Sequence, residues 1–426
     1  MNHTEADIPK LVAHLFRIES GKLVSVLTRI FGSKNLNLAE DVVQDTLLEA
    51  MDQWKFKGVP ENSAAWLYKV AKYKALNIVN REKYKRQYSS EIVHFMQSEF
   101  TTEPAMDHFF SEPEMLDDQV RMMFTCCHPS ISLDSQVALT LKTLCGFSIP
   151  EIAKAFLTNE ENINKRLVRA RQKIREGKIV FEVPAGRELE KRLNAVLESI
   201  YLLFNEGYSA SHGDFSIRYE LCEEAMRIAG IVSAHPAITQ KENTHALLSL
   251  MLLNASRFKS REGDSGDIIK LEEQNRDLWD KEMIQKGILL LQESIQGGIS
   301  KYHILATISA HHCTAKSFKT TDWEGILTLY NNLMQIDNSA IVLLNRAIVI
   351  SEVFNTQKAI NELEKLKNDP LIENYHYYYS TLGELYLREK RLPEAGKYFI
   401  KAIELSSVES QKEAVRKRLT FCYTKI

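Results

Sequence analysis

The sequence predicts an all-α protein, on three observations. Gly and Pro are scarce, 17 and 10 in 426 residues, while Leu, Ala, Glu and Lys abound. Apolar residues recur at three- and four-residue steps, the period of a helix and not of a strand. Composition is 44% hydrophobic and 26% charged, as in a water-facing globular chain. The length exceeds one ordinary core, so two or three domains are expected. No apolar run reaches the roughly 18 residues of a membrane span. Met1 to Lys10 lacks the apolar centre of a secretion signal, so the expectation is a cytoplasmic protein with no membrane partner.

Residues 8–86 predict helices joined by short turns. Asn37 can cap the clearest of them, with Glu40 three residues on as in a capping box. Ala39, Val43, Leu47, Ala50 and Trp54 then share one apolar face, opposite Asp41, Asp45, Leu48 and Asp52. Gly58-Val59-Pro60 breaks the chain. A further helix follows from about Ser63 to Arg86, with Trp66, Val70, Tyr73 and Asn77 along one side. Residues 87–116 gather Ser, Thr, Glu and Pro without a period and predict a linker, helical pattern resuming near Leu116.

Within the expected second module, residues 117–178, the stretch 134–178 carries the sharpest local pattern. A helix from Asp134 to Cys145 should stop at Gly146. Ser148 and Glu151 form a capping box for a helix reaching Phe156, and Thr158 and Glu161 form another after a break at 157–159. In the last helix Ile163, Leu167, Ala170 and Ile174 make an inward stripe. Asn162, Lys165, Arg169 and Gln172 face out, with Arg166 and Lys173 at the flank. This is the pattern of a helix-turn-helix, whose second helix lies in a DNA major groove; an ordinary helical hairpin with a solvated basic face has the same pattern. The net charge of −2 is silent on nucleic acid, but basic residues crowd Lys69–Arg86 and Lys165–Lys178.

Residues 185–426 predict a helical extension. Tyr379, Leu382, Gly383, Tyr386, Ala395, Phe399 and Ala402 have tetratricopeptide spacing. Leu343, Ala347, Ile350, Ala359, Leu363 and Leu366 repeat it, and Ser309, Cys313, Gly325 and Leu329 repeat it more loosely. Repeats are therefore expected over residues 300–410, against the alternative of a plain bundle. The six cysteines, Cys126, Cys127, Cys145, Cys222, Cys313 and Cys422, include no C-x-x-C pair. Buried reduced thiols are expected, although His128 beside Cys126-Cys127 makes a metal site thinkable. No metal site or cofactor is assigned. Phosphate-loop, H-E-x-x-H and G-x-S-x-G strings are absent, and His311-His312-Cys313 alone invites a catalytic story, so no enzyme is expected.

Several segments resemble the bacterial sigma factors of the extracytoplasmic-function type, in a branch with a long C-terminal extension. They are Ala39-Glu40-Asp41-Val42-Val43-Gln44-Asp45-Thr46-Leu47, then Ala65-Trp66-Leu67 with Val70-Ala71 and Asn80-Arg81. Leu139-Thr140-Leu141, Ser148 to Ala153 and Arg166-Leu167-Val168-Arg169-Ala170 follow in order. Phe124 to Pro129 and Tyr201 to Tyr208 look like marks of the extended branch. The resemblance implies that residues 8–86 dock on core RNA polymerase through Asp41, Gln44, Asp45 and Leu48. It implies that they open promoter DNA at the −10 element through Lys55, Phe56, Asn62, Trp66, Lys69, Lys72 and Arg81. Trp54 is a further candidate, and Trp54 and Trp66 equally suit a core. Residues 117–178 would read the −35 element through Asn162, Lys165, Arg166 and Arg169, with Lys173 and Arg175 on phosphates. The extension suggests regulation, by folding onto the first modules or by binding a regulatory protein or peptide. The rival readings are a helix-turn-helix regulator that does not join polymerase, and a repeat scaffold.

Overall fold

The structure, a computed structural model, describes residues 8–82, 106–156, 158–177, 179–209, 217–263, 268–370 and 372–424. Most of the expected linker, residues 87–105, lies outside them. Among the described residues every regular element is helical, and one isolated antiparallel bridge joins Glu262 to Ile268. None of these helices is long and apolar enough to cross a membrane. The chain divides into two compact units. One comprises Met1–Leu203 with Ala234–Thr239, the other Phe204–Ser233 with Gln240–Ile426.

In the first unit α1 (Ile8–Phe31) packs on α2 (Leu36–Lys57), α3 (Ser63–Glu82) and α4 (Glu112–Cys126). Ala39, Val43, Leu47, Ala50 and Trp54 are buried, as their spacing requires. The expected cap at Asn37 is corrected. Gly32, at φ +84°, and a 3-10 turn at Ser33–Asn35 deliver the chain into a helix that has already begun at Leu36. Asn35 precedes it, and its side chain donates to Phe31 O instead of capping. Helix α4 begins at Glu112, earlier than the expected resumption near Leu116. Pro113 sits in its first turn, where a missing N–H costs nothing, so a proline counted toward the linker's composition lies at a helix start.

Helix α5 (Leu133–Thr143) ends as expected at Gly146, at φ +66°. Phe147 N–H reaches back six residues to Leu141 O, a closure that requires the left-handed glycine. Ser148 and Glu151 form their capping box before α6 (Ile149–Ala155). Before α7 (Glu160–Glu176) the expected cap moves by one residue. Asn159, not Thr158, accepts from Asn162 N, and Thr158 Oγ1 accepts from Asn162 Nδ2. Ile163, Leu167, Ala170 and Ile174 are all buried. Helix α8 (Arg187–Tyr208) begins in this unit, with Leu193, Val196 and Leu197 buried and Arg192 donating to Phe124 O.

The second unit takes the end of α8 and most of α9 (Tyr219–Ala234), then α10 (Glu242–Ala255), α11 (Phe258–Arg261) and α12 (Lys281–Glu293). Helix pairs follow: α13 (Lys301–Thr314) with α14 (Trp323–Leu333), α15 (Ala340–Val353) with α16 (Thr356–Glu364), and α17 (His376–Arg388) with α18 (Leu392–Leu405). Helix α19 (Glu409–Thr424) comes last. In the α17–α18 pair Leu382, Gly383, Tyr386, Ala395, Phe399 and Ala402 are buried, while Tyr378 takes the buried place expected for Tyr379. Ala347, Ile350, Ala359 and Leu363 are buried in the pair before. Of the loosest set, Ser309 is buried and Cys313, Gly325 and Leu329 are half-buried.

Candidate polymerase and nucleic-acid interfaces

Helix α2 has two faces with different partners. Its apolar stripe is spent on the core. Asp41, Gln44, Asp45 and Leu48 project together from the other side, and all are exposed. Leu48 is 58% exposed, an apolar side chain ringed by carboxylates. Such a face suits a basic, partly apolar helix, where charge sets approach and register. Glu40 does not belong to it. Its two carboxylate oxygens take Arg171 Nη2 at 3.1 and 2.9 Å, and it accepts from Thr143 Oγ1.

At the end of α2, Lys55 is exposed and Phe56 is 88% exposed, in front of the turn at Gly58. An aromatic ring held bare at a turn is a stacking platform of the kind that unpaired bases need. Trp54 is buried, and Trp66 packs edge-on against it at 5.4 Å and is half-buried. Trp54 is therefore a core residue, and Trp66 holds the loop's base while keeping part of its ring accessible. Asn62 caps α3 by accepting from Ala65 N at 2.9 Å, which fixes the loop's exit. Lys69 and Arg81 are exposed on α3. Lys72 is paired with Asp107 at 2.5 Å, so it reaches a phosphate only by leaving that carboxylate.

Helices α5, α6 and α7 make a helix-turn-helix. Asn162, Lys165, Arg169, Lys173 and Arg175 are exposed on α7, so five of the six expected readers share open surface. Lys165 pairs with Glu161, an exposed i,i+4 partner. Arg166 differs. Its guanidinium sits between Asp134, at 3.3 Å, and the Phe156 ring, at 5.2 Å, and serves the packing of this module. Sequence reasoning passed over Val168, 62% exposed beside Arg169. An apolar side chain on an otherwise polar face suits a thymine methyl, and its position off the apolar stripe was the available signal.

Within the first unit the segments on either side of the linker touch closely. Gly21 of α1 lies against Leu144 O, Arg171 of α7 holds Glu40 of α2, and Ser33 donates to Ile179 O. Arg29 of α1 meets Glu114 and Asp118 of α4, at 2.5 and 3.6 Å. Asp118 is fully buried, and neither of its oxygens has a hydrogen-bond partner among the described residues. Burial outweighs the attraction of Arg29 and Arg121 and pushes its carboxyl up to about 7. A carboxyl raised in the folded state stabilises most while protonated, and that stability is lost as pH rises from about 4 through 7. Asp118→Asn should therefore gain on the wild type across this window, by up to about 4 kcal/mol at pH 8. Denaturant titrations at pH 5 and pH 8 check this; a difference that does not grow with pH refutes it.

The remaining clusters are internal. Cys126 and Cys127 are buried and not joined in a disulfide, and burial raises both thiols, Cys127 to about 12. His128 turns to Ser130 Oγ at 2.8 Å. In α13, Cys313 is half-buried and donates to Leu253 O.

Residues 15–84 match sigma-70 region 2, and residues 121–174 match sigma-70 region 4. Residues 192–295 match a family of unknown function (DUF6596). An uncharacterised protein of Rhizobium meliloti (strain 1021) is 31% identical over 398 residues, 93% of this chain and 92% of that protein. No solved structure matches the chain.

Proposed function

Since the chain belongs to one family with the Rhizobium meliloti protein and carries sigma-70 regions 2 and 4, we propose that it is a sigma factor of the extracytoplasmic-function type with a regulatory extension. Regions 2 and 4 make it an RNA polymerase sigma factor that binds promoter DNA and acts in promoter recognition. The finer assignments are these. Asp41, Gln44, Asp45 and Leu48 grip core polymerase. Lys55, Phe56, Asn62, Trp66, Lys69, Lys72 and Arg81 serve melting at the −10 element, with Phe56 as the stacking ring. Asn162, Lys165 and Arg169 read the −35 element, helped by Val168, while Lys173 and Arg175 take phosphates; Arg166 orients the helix. The observation that carries this reading is the simultaneous exposure of the acidic α2 face and the basic α7 face on modules that match regions 2 and 4.

Transcription with core polymerase and promoter fragments tests it. Arg169→Ala should cut transcript roughly 5- to 150-fold, the worth of one good base contact of about 1–3 kcal/mol. Asp45→Ala should cut it several-fold and less so at high salt, because it acts on encounter. Both side chains are exposed, so both variants should melt like the wild type. Transcript that ignores both changes removes these residue assignments. DNA binding with no association with core polymerase turns the reading to a free-standing regulator.

The close contacts inside the first unit support a closed form that opens on polymerase. The −35 and −10 elements lie about 25 base pairs apart, or about 85 Å at roughly 3.4 Å per pair. A compact unit of this size has a radius of gyration of about 17 Å. One unit cannot span both elements without parting α1 from α5 and α2 from α7. We read the extension as a helical-repeat domain, tetratricopeptide-like over residues 300–410, that regulates this factor through a bound protein or peptide. Truncation tests should cut after Ser209. A cut at 184 strips α8, whose Leu193, Val196 and Leu197 belong to the first unit's core.

A further inference from the structure

We propose that the groove lined by α14, α15, α17 and α19 in the second unit binds an extended peptide segment of a partner protein that carries an acidic pair. Residues 268–273 of the chain itself occupy the rim of that groove in the manner of such a ligand. The proposal deepens the regulatory reading above; probe binding tests the site, and transcription with the probe bound tests the regulation.

The groove encloses a cavity of about 860 Å³, within the roughly 300–1,000 Å³ range of ligand sites. Its apolar wall includes Trp323, Tyr330, Ile348, Tyr377, Phe399 and Phe421. Lys270, Glu272 and Glu273 close one side of it, on a strap of chain that is not helical. The strap's charges pair in register with the groove. Lys270 Nζ lies 2.7 Å from Glu384, Glu272 lies 3.6 Å from Arg388, and Glu273 lies 3.1 Å from Arg418. A basic residue followed, two positions on, by an acidic pair is thus the pattern this groove already accommodates.

The strap is fixed at its ends and weakly held in the middle. On one side Trp279 is buried and donates to Ser260 Oγ at 2.7 Å, and Arg276 donates to His312 O and Ala315 O. On the other, Ile268 bridges Glu262, which accepts from Tyr219 Oη at 2.5 Å. Between these anchors Glu272 and Glu273 are exposed, and exposed ion pairs contribute little. The centre can leave the groove without unfolding the ends. An incoming acidic pair replaces like with like at Arg388 and Arg418 and places an apolar neighbour in the cavity. His312, which also lines the cavity, has a buried Nδ1 with no hydrogen-bond partner among the described residues, and burial keeps its ring neutral. A ring nitrogen in that state can serve a peptide N–H or C=O.

The experiment is fluorescence anisotropy on the full chain, with a labelled peptide of sequence Ile-Ile-Lys-Leu-Glu-Glu-Gln-Asn as the probe. A second probe has Gln in place of both Glu residues. Glu272→Gln with Glu273→Gln removes the internal competitor and should tighten binding of the acidic probe about three- to tenfold over the wild type. In that background the Gln probe should bind several-fold more weakly than the acidic one. Adding Arg388→Gln and Arg418→Gln should abolish the difference. Should the arginine changes lower the melting temperature, the strap variant with its two probes still decides. Equal binding of both probes, or no binding of the acidic probe to the strap variant, overturns the proposal. A bound probe with unchanged transcription leaves the site standing and sinks the regulatory reading; absence of binding does the reverse.

Discussion

Gly21→Ala is expected to part α1 from α5 and to cost the first unit about 3 kcal/mol. A Cβ built on Gly21 would stand 2.0 Å from Leu144 O and 2.9 Å from its carbonyl carbon. Ordinary overpacking costs about 1–3 kcal/mol because side chains can rotate away. Here the obstacle is backbone, held in the last turn of α5 by Leu144 N–H to Thr140 O and by the Gly146 closure behind it. The helices must separate, so the effect belongs at the top of that range. Arg171→Gln makes a useful contrast. It removes a mostly buried, charge-assisted pair with Glu40, worth about 1–2 kcal/mol, and leaves the helix contact in place. Hydrogen exchange should show lost protection along α1 and α5 in Gly21→Ala and little change in Arg171→Gln. If the close contact keeps the modules shut, promoter fragments should bind Gly21→Ala several-fold better in the absence of polymerase. Wild-type stability and protection in Gly21→Ala would mean that α1 and α5 do not approach this closely.

The difference between these two variants also marks what the sequence can and cannot convey. Period was legible. The buried stripes of α2 and α7 follow from three- and four-residue spacing, which is a property of one helix and needs no knowledge of its neighbours. Gly146 was legible because only a glycine closes that turn cheaply. The cap before α7 was legible in kind and misplaced by one residue, at Asn159, since several short polar residues compete there, whereas the entry to α2 carries no side-chain cap at all. Long-range pairing was not legible. Glu40 and Arg171 stand 131 residues apart, and nothing local distinguishes Glu40 from a capping-box glutamate.

The candidate surfaces divide the same way. The exposed residues of α2 and α7 follow from being opposite an apolar stripe. Phe56 follows from lying beyond the stripe's end, before a Gly-Val-Pro turn. Trp54 and Trp66 could not be told apart by pattern, because an aromatic ring suits a core and a base equally; burial separates them. The partners of Arg166 were not legible, because Asp134 and Phe156 lie outside its own helix. The strap at 268–273 left no trace in the periodicity, since its meaning lies in charges met across the fold.

Phe399→Ala should produce the largest loss in the second unit, about 3–5 kcal/mol. Phe399 is 1% exposed, and its ring lies where a Cβ on Gly383 would fall, 2.5 Å from Cε1 and 2.6 Å from Cδ1. The pair sets how closely α17 and α18 approach: the glycine makes room and the ring fills it. Phe399→Ala leaves a hole that a helix pair bound on both sides cannot fully collapse. Gly383→Ala, the opposite error, should cost about 1–3 kcal/mol by pressing on a ring that is enclosed. Combining Gly383→Ala with Phe399→Leu tests the coupling directly. The smaller side chain yields the space the new methyl needs, so the double variant should be more stable than the sum of the single losses by about 1 kcal/mol or more. Because Phe399 also lines the groove, Phe399→Ala should weaken the acidic probe, whereas the double variant should retain most of its affinity. Strict additivity in urea titrations would mean that the ring and the glycine do not share one space. The α17–α18 contact would then owe its closeness to other residues.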